Sequence, residues 1–123
     1  MKYSETTEKI IGCAYRVYNQ MGFGFLESVY EKCMMIELQS AGLQVARQKS
    51  IVVYYADQVV GEFVADLVVN DEIIVELKSV RRVVKAHEVQ LVNYLVATCT
   101  DVGLVLNFGE KEVEVKRKVR SFD

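Results

Sequence analysis

The sequence predicts an α/β domain: one mixed β-sheet, with an antiparallel three-strand meander, flanked by helices in the order α-α-β-β-β-α-β-β. Three observations predict it. The first third repeats its apolar residues at helical spacing. From about Gln44 the period shortens and β-branched and aromatic residues dominate. Beyond residue 80 a helical pattern is followed by an apolar run and then by an alternating one.

Residues 4–20 read as the first helix, with Ile10, Ile11, Ala14, Val17 and Tyr18 on one stripe and Ser4 able to cap the start. Gly22-Phe23-Gly24 breaks it. The second helix runs from about Leu26 to Ala41 and stops at Gly42. Its apolar stripe is Leu26, Val29, Tyr30, Cys33, Met34 and Leu38. Gln44–Tyr55, Val59–Val69 and Ile73–Lys78 are three strands joined by turns at 56–58 and 70–72. A third helix is expected from Arg82 or Val83 to Thr98. Val102–Asn107 suits a buried strand, and Glu112–Val119 alternates like an edge strand.

The 123 residues fit a single domain over 1–123. About half of them are hydrophobic, so a core can form without a disulfide or structural metal. Cys13, Cys33 and Cys99 are far apart and form no CxxC pair, which argues against a zinc ribbon and for free thiols in a reducing compartment. Met1-Lys2-Tyr3-Ser4-Glu5 is polar, and no apolar run approaches the roughly 20 residues of a membrane helix. A cytoplasmic protein with no membrane partner is expected. The net charge of −2 argues against a general nucleic-acid coat protein.

Chemistry concentrates in the strands. Side chains alternate, so Glu76 and Lys78 share a face of Ile73-Ile74-Val75-Glu76-Leu77-Lys78. Alone, that pair reads as a surface ion pair at a strand end. Asp66 changes the reading, because it interrupts the apolar Phe63–Val69 and Asp is disfavoured in strands. If 70–72 is a three-residue turn, Val69 pairs with Ile73 and Asp66 falls opposite Glu76, with Cβ atoms about 5 Å apart. Two carboxylates so placed repel, and a bound divalent cation reverses the sign. Without it, at least one carboxyl pKa should rise. Hard oxygen ligands suit Mg²⁺ or Mn²⁺.

Glu27, in the first turn of the second helix, is a third carboxylate, although glutamate there also suits the helix dipole. Gln90 and Tyr94 share a face of the third helix, with His87 one turn earlier. His87 reads either as a capping or surface residue or as a substrate contact. Arg81, Arg82 and Lys85 form a basic run that either grips phosphate or solvates a helix start. The basic residues at 116–120 read as edge-strand protection.

Asp66, nine residues, then Glu76-Leu77-Lys78 resembles the signature of the PD-(D/E)xK nuclease superfamily. Gln90-Leu91-Val92-Asn93-Tyr94 is similar to the QxxxY motif of its RecB-like branch, and Gly24–Tyr30 matches the motif of the GxxExxY proteins. Ala65 stands where the signature has proline. The resemblance implies a metal-dependent nuclease acting on DNA or RNA. Asp66 and Glu76 would ligate Mg²⁺ or Mn²⁺ together with the Leu77 carbonyl, and Glu27 directly or through water. Lys78 would serve the attacking water, and Gln90 would orient substrate. Tyr30, Arg81, Arg82, Lys85, His87 and Tyr94 would face the nucleic acid. It also implies self-association as a homodimer, with Phe23 and Phe25 exposed. A non-catalytic binding or regulatory subunit that keeps the fold is the alternative.

Overall fold

Two apolar layers sandwich a sheet that is apolar on both faces, and the chain order explains how they arise. A computed structural model describes residues 1–120; the last three positions of the domain expected over 1–123 lie outside the described residues. Helix α1 (Ser4–Met21) buries Ile10, Cys13, Ala14 and Val17, one stripe at helical spacing. Helix α2 (Glu27–Ser40) buries Tyr30, Met34 and Leu38 in the same way. The link between them needs glycine, since Gly24 sits at φ +114°, a region that L side chains rarely adopt.

Five strands follow: β1 (Val45–Tyr55), β2 (Gln58–Val69), β3 (Ile73–Lys78), β4 (Val102–Phe108) and β5 (Val113–Val119), with helix α3 (Lys85–Thr98) between β3 and β4. They form one sheet in the order β1-β2-β3-β4-β5. The pairs β1–β2, β2–β3 and β4–β5 are antiparallel, and β3–β4 is parallel. A parallel neighbour requires a crossover, and α3 supplies it. The predicted mixed α/β sheet and its meander are therefore present.

Some boundaries differ from the sequence reading. β2 starts at Gln58, because Ala56 and Asp57 alone make the turn. Both have positive φ, as a two-residue hairpin of primed type demands. Asn70 and Asp71 also have positive φ, but within a three-residue turn over 70–72: the Glu72 N–H donates to the Val69 carbonyl at 2.9 Å, and Val69 pairs with Ile73 as expected. Helix α3 starts at Lys85 rather than at Arg82 or Val83. The preceding residues are held as a loop: buried Asn107 accepts the Val80 N–H at 2.9 Å and donates to the Val80 carbonyl at 2.8 Å. Glu114 accepts the Val83 N–H at 3.0 Å.

Leu67, Val69, Ile73, Val75, Leu77, Leu104, Leu106 and Phe108 meet α1 and α2. Val68, Ile74 and Val105 meet Leu91, Tyr94 and Leu95 of α3. Gly103 lets α3 approach closely, because a Cβ there would lie 2.8 Å from Leu91 Cδ1 and 3.1 Å from the Ile74 carbonyl. Among the described residues, no helix is long and apolar enough to cross a membrane.

Candidate metal and active site

The β2–β3 ladder runs from Val69↔Ile73 through Val68↔Ile74 to Leu67↔Val75 and stops. The next two residues in register are Asp66 and Glu76. Asp66 takes over where backbone pairing ends: its Oδ2 accepts the Leu77 N–H at 2.7 Å. Strand alternation also slips here. Ala65 and Val68, three apart, both pack in the α3-side cluster, while Leu67 packs with α1 and α2. An irregularity of this kind bends a strand and re-aims a side chain.

Glu76 follows Ile74 by two residues and so faces the α3 layer. It is 5 % exposed, and its Oε1 is buried with no hydrogen-bond partner. Burial pushes its carboxyl up to about 9. A hydrogen bond to Asp66 and the Asp66 charge act in the same direction, while the Lys78 ammonium opposes them. At neutral pH Glu76 thus carries a proton. The expected rise of a carboxyl pKa falls on this residue. Lys78 ends β3 and is partly exposed beside the pair.

Tyr94 closes the α3 side. It is 7 % exposed, with its ring centroid 5.0 Å from that of Phe63. Burial, then the charges of Glu76 and Asp66, hold its hydroxyl above the usual tyrosine range, so it stays a proton donor next to the carboxylates. Gln90 lies one turn earlier on α3 and is exposed.

Other expected residues are placed differently. Tyr30, expected on the substrate side, is fully buried. Its ring stacks on Phe108 at 4.2 Å, and its hydroxyl donates to the Gly22 carbonyl and accepts the Phe25 N–H at 3.4 Å. It ties the Gly22–Phe25 loop to the core. Arg81 pairs with Glu110 at 3.3 Å, and Arg82 lies in the same cleft with Glu112 and Glu114, so the basic run is partly neutralised there. Lys85 is exposed at the start of α3. His87 takes the capping alternative: its Nδ1 accepts the Val84 N–H at 3.3 Å. Glu27 is exposed in the first turn of α2. The loop before it is tied to the end of β3, where Ser79 Oγ donates to the Phe25 carbonyl at 2.7 Å.

The donor set suits a hard divalent cation in part. Asp66 and Glu76 offer carboxylate oxygens, one of them orphaned inside the protein. Leu77, whose carbonyl is the further ligand expected, has a buried side chain and gives its N–H to Asp66. Among the described residues, no group of three or more His, Cys, Asp or Glu side chains gathers to hold a metal, so Glu27 is not drawn into the pair.

Sequence reasoning missed Glu31, Gln48, Asn107 and Glu114. Glu31 is buried on α2 and accepts from Gln48 Nε2 at 2.7 Å. Asn107 could have been found, since it interrupts the apolar run Val102–Phe108 as Asp66 interrupts its own. Glu31 carries no such mark.

The family model of the PD-(D/E)XK nuclease superfamily matches residues 4–118, and the chain belongs to that superfamily. Its members are generally hydrolytic nucleases and typically use divalent metals such as Mg²⁺. The crystal structure of SSO0001 superposes with a TM-score of 0.61 at 18% identity, covering 98% of this chain and 61% of that one. That likeness concerns the fold, and the chain spans less than two thirds of that protein. No curated protein matches significantly.

Proposed function

We propose that this protein is a metal-dependent nuclease of the GxxExxY group, hydrolysing phosphodiester bonds of DNA or RNA with Mg²⁺ or Mn²⁺. One observation carries the reading: a buried glutamate with an unpartnered oxygen, in register with a second carboxylate at the point where strand pairing stops. A purely structural domain has no use for that arrangement, which costs free energy unless a ligand completes it.

Asp66 and Glu76 would hold the ion, with the Leu77 carbonyl beside them. The ion, when bound, supplies a more acidic water and offsets charge on the phosphate. Lys78, at the strand end, offsets negative charge that grows during attack. The Tyr94 hydroxyl offers a hydrogen bond to substrate or water, and Gln90 orients the same groups from the next turn of α3. After Arg81, which pairs with Glu110, Arg82 and Lys85 are the next cations beyond β3 in sequence, and they serve the phosphate backbone. Glu27 would join from α2 by way of water.

A homodimer belongs to the same proposal. Tyr54, Tyr55, Val59 and Val60 on the β1–β2 hairpin are each more than half exposed, and Phe23 and Phe25 are also exposed. Light scattering that finds only monomer at high concentration would remove this part. Free thiols at Cys13, Cys33 and Cys99 fit a cytoplasmic setting. A non-catalytic nucleic-acid-binding or regulatory subunit remains the second reading, favoured by the placement of Glu27 outside the pair.

The test is direct. Pure protein is incubated with single- and double-stranded DNA and RNA, with Mn²⁺ or with chelator. Cleavage with Mn²⁺ that is lost with chelator and in Asp66→Asn supports the nuclease. Binding of nucleic acid with no cleavage under any condition supports the second reading.

A further inference from the structure

The ladder between β1 and β2 pairs Arg47 with Leu67 and Lys49 with Ala65, and skips the two residues between them, Gln48 and Asp66. Gln48 has φ +54°, a left-handed backbone inside a strand, where a side chain other than glycine is strained. Such a conformation persists only where neighbouring structure enforces it. The enforcing group is visible. Gln48 Nε2 donates to Glu31 Oε2 at 2.7 Å, and Glu31 is 6 % exposed, one turn along α2 from Glu27. The other Glu31 oxygen meets Arg47 Nε at 3.4 Å. The clamp therefore holds the kink residue and the residue before it, and the kink lies in register with Asp66.

We propose that Glu31, acting through Gln48, is a positioning residue for Asp66: the clamp holds the kink that frees the Asp66 carboxylate from strand alternation and turns it onto the Leu77 N–H. This rests on the reading of Asp66 as a functional carboxylate. Without the clamp, Gln48 relaxes to an extended conformation, the skipped pair closes, and Asp66 is drawn back into the ladder. α2 would then contribute to the site through Glu31 as well as through Glu27.

Two readouts separate positioning from general support. The first is the Leu77 amide, whose proton is moved downfield by its bond to a carboxylate and protected from exchange; it needs neither metal nor nucleic acid. The second is the Mn²⁺ dissociation constant. Glu31→Ala and Gln48→Ala should each shift the Leu77 amide upfield, speed its exchange, and weaken Mn²⁺ binding about ten- to a hundred-fold, as loss of an orienting partner does. Glu31→Gln keeps an oxygen that accepts from Gln48 and should behave as wild type. The double variant Glu31→Ala/Gln48→Gly should recover both readouts, because glycine holds positive φ unaided. If Glu31→Ala does not fold, Gln48→Ala decides alone. An unchanged Leu77 amide in Gln48→Ala, or a double variant no better than Glu31→Ala, overturns the proposal. A wild type that cleaves no nucleic acid would instead count against the nuclease reading, and the amide readout would stand.

Discussion

The proton on Glu76 controls how stability depends on pH without metal. Its carboxyl is raised from the ordinary value of 4.5 to about 9, by burial first and by Asp66 second. The unfolded chain gives up this proton near 4.5, whereas the folded chain keeps it. Between those values the native state binds more protons, so metal-free stability is greatest at the acidic end and falls as pH rises toward 9. The slope from this one group is at most about 1.4 kcal/mol per pH unit. Glu76→Gln should abolish that slope and be more stable than wild type at pH 8, checked by chemical denaturation across pH without metal. Lys78→Ala should behave differently. It should retain Mn²⁺ binding yet lose cleavage by about a hundred-fold or more, as removal of a group that offsets transition-state charge does. At this scale Asp66, Glu76 and Lys78 were legible, because polar side chains inside apolar strands need a reason. The buried Tyr30 was misread: its motif position gave no sign that the hydroxyl serves Gly22 and Phe25. The Gln48 kink was invisible, since a left-handed glutamine leaves no mark in sequence.

Among the elements, α3 and the Gly22–Phe25 loop carry the firmest expectations. Gly103→Ala pushes a methyl group against Leu91 and the Ile74 carbonyl, so α3 must lift from the sheet. It should destabilise the protein by about 1–3 kcal/mol and move Tyr94 away from the carboxylates, read by thermal melting and by Mn²⁺ affinity. Tyr30→Phe keeps the stack on Phe108 but removes the hydroxyl from the Gly22 carbonyl. The loss should be about 1–3 kcal/mol, with faster amide exchange confined to the loop and the start of α2. The helices and strands were largely readable from periodicity, because each buries one face or both. The start of α3 was not. It is set by Asn107, Glu114 and the His87 cap, contacts between residues far apart in the chain or specific to one ring nitrogen.

At the level of the whole molecule, two cores on opposite faces of one sheet leave a gap at the end of the β2–β3 ladder, and the carboxylates fill it. Family membership and fold were legible from the order of motifs along the chain. That Glu27 stands apart from the pair and that the basic run is partly neutralised was not, because both depend on helix placement and on acidic neighbours such as Glu110. An ion that binds the native site and not the unfolded chain must stabilise the fold. At about 100 times its dissociation constant it should add roughly 2.7 kcal/mol, and Asp66→Asn should abolish this shift in melts with and without Mn²⁺. Calorimetric titration of Mn²⁺ at pH 7, in two buffers of different ionisation enthalpy, tests the site most directly. Wild type should bind with release of about one proton, that of Glu76, and Asp66→Asn should not bind. Binding with no proton released, or binding that survives Asp66→Asn undiminished, would contradict a metal held between Asp66 and Glu76.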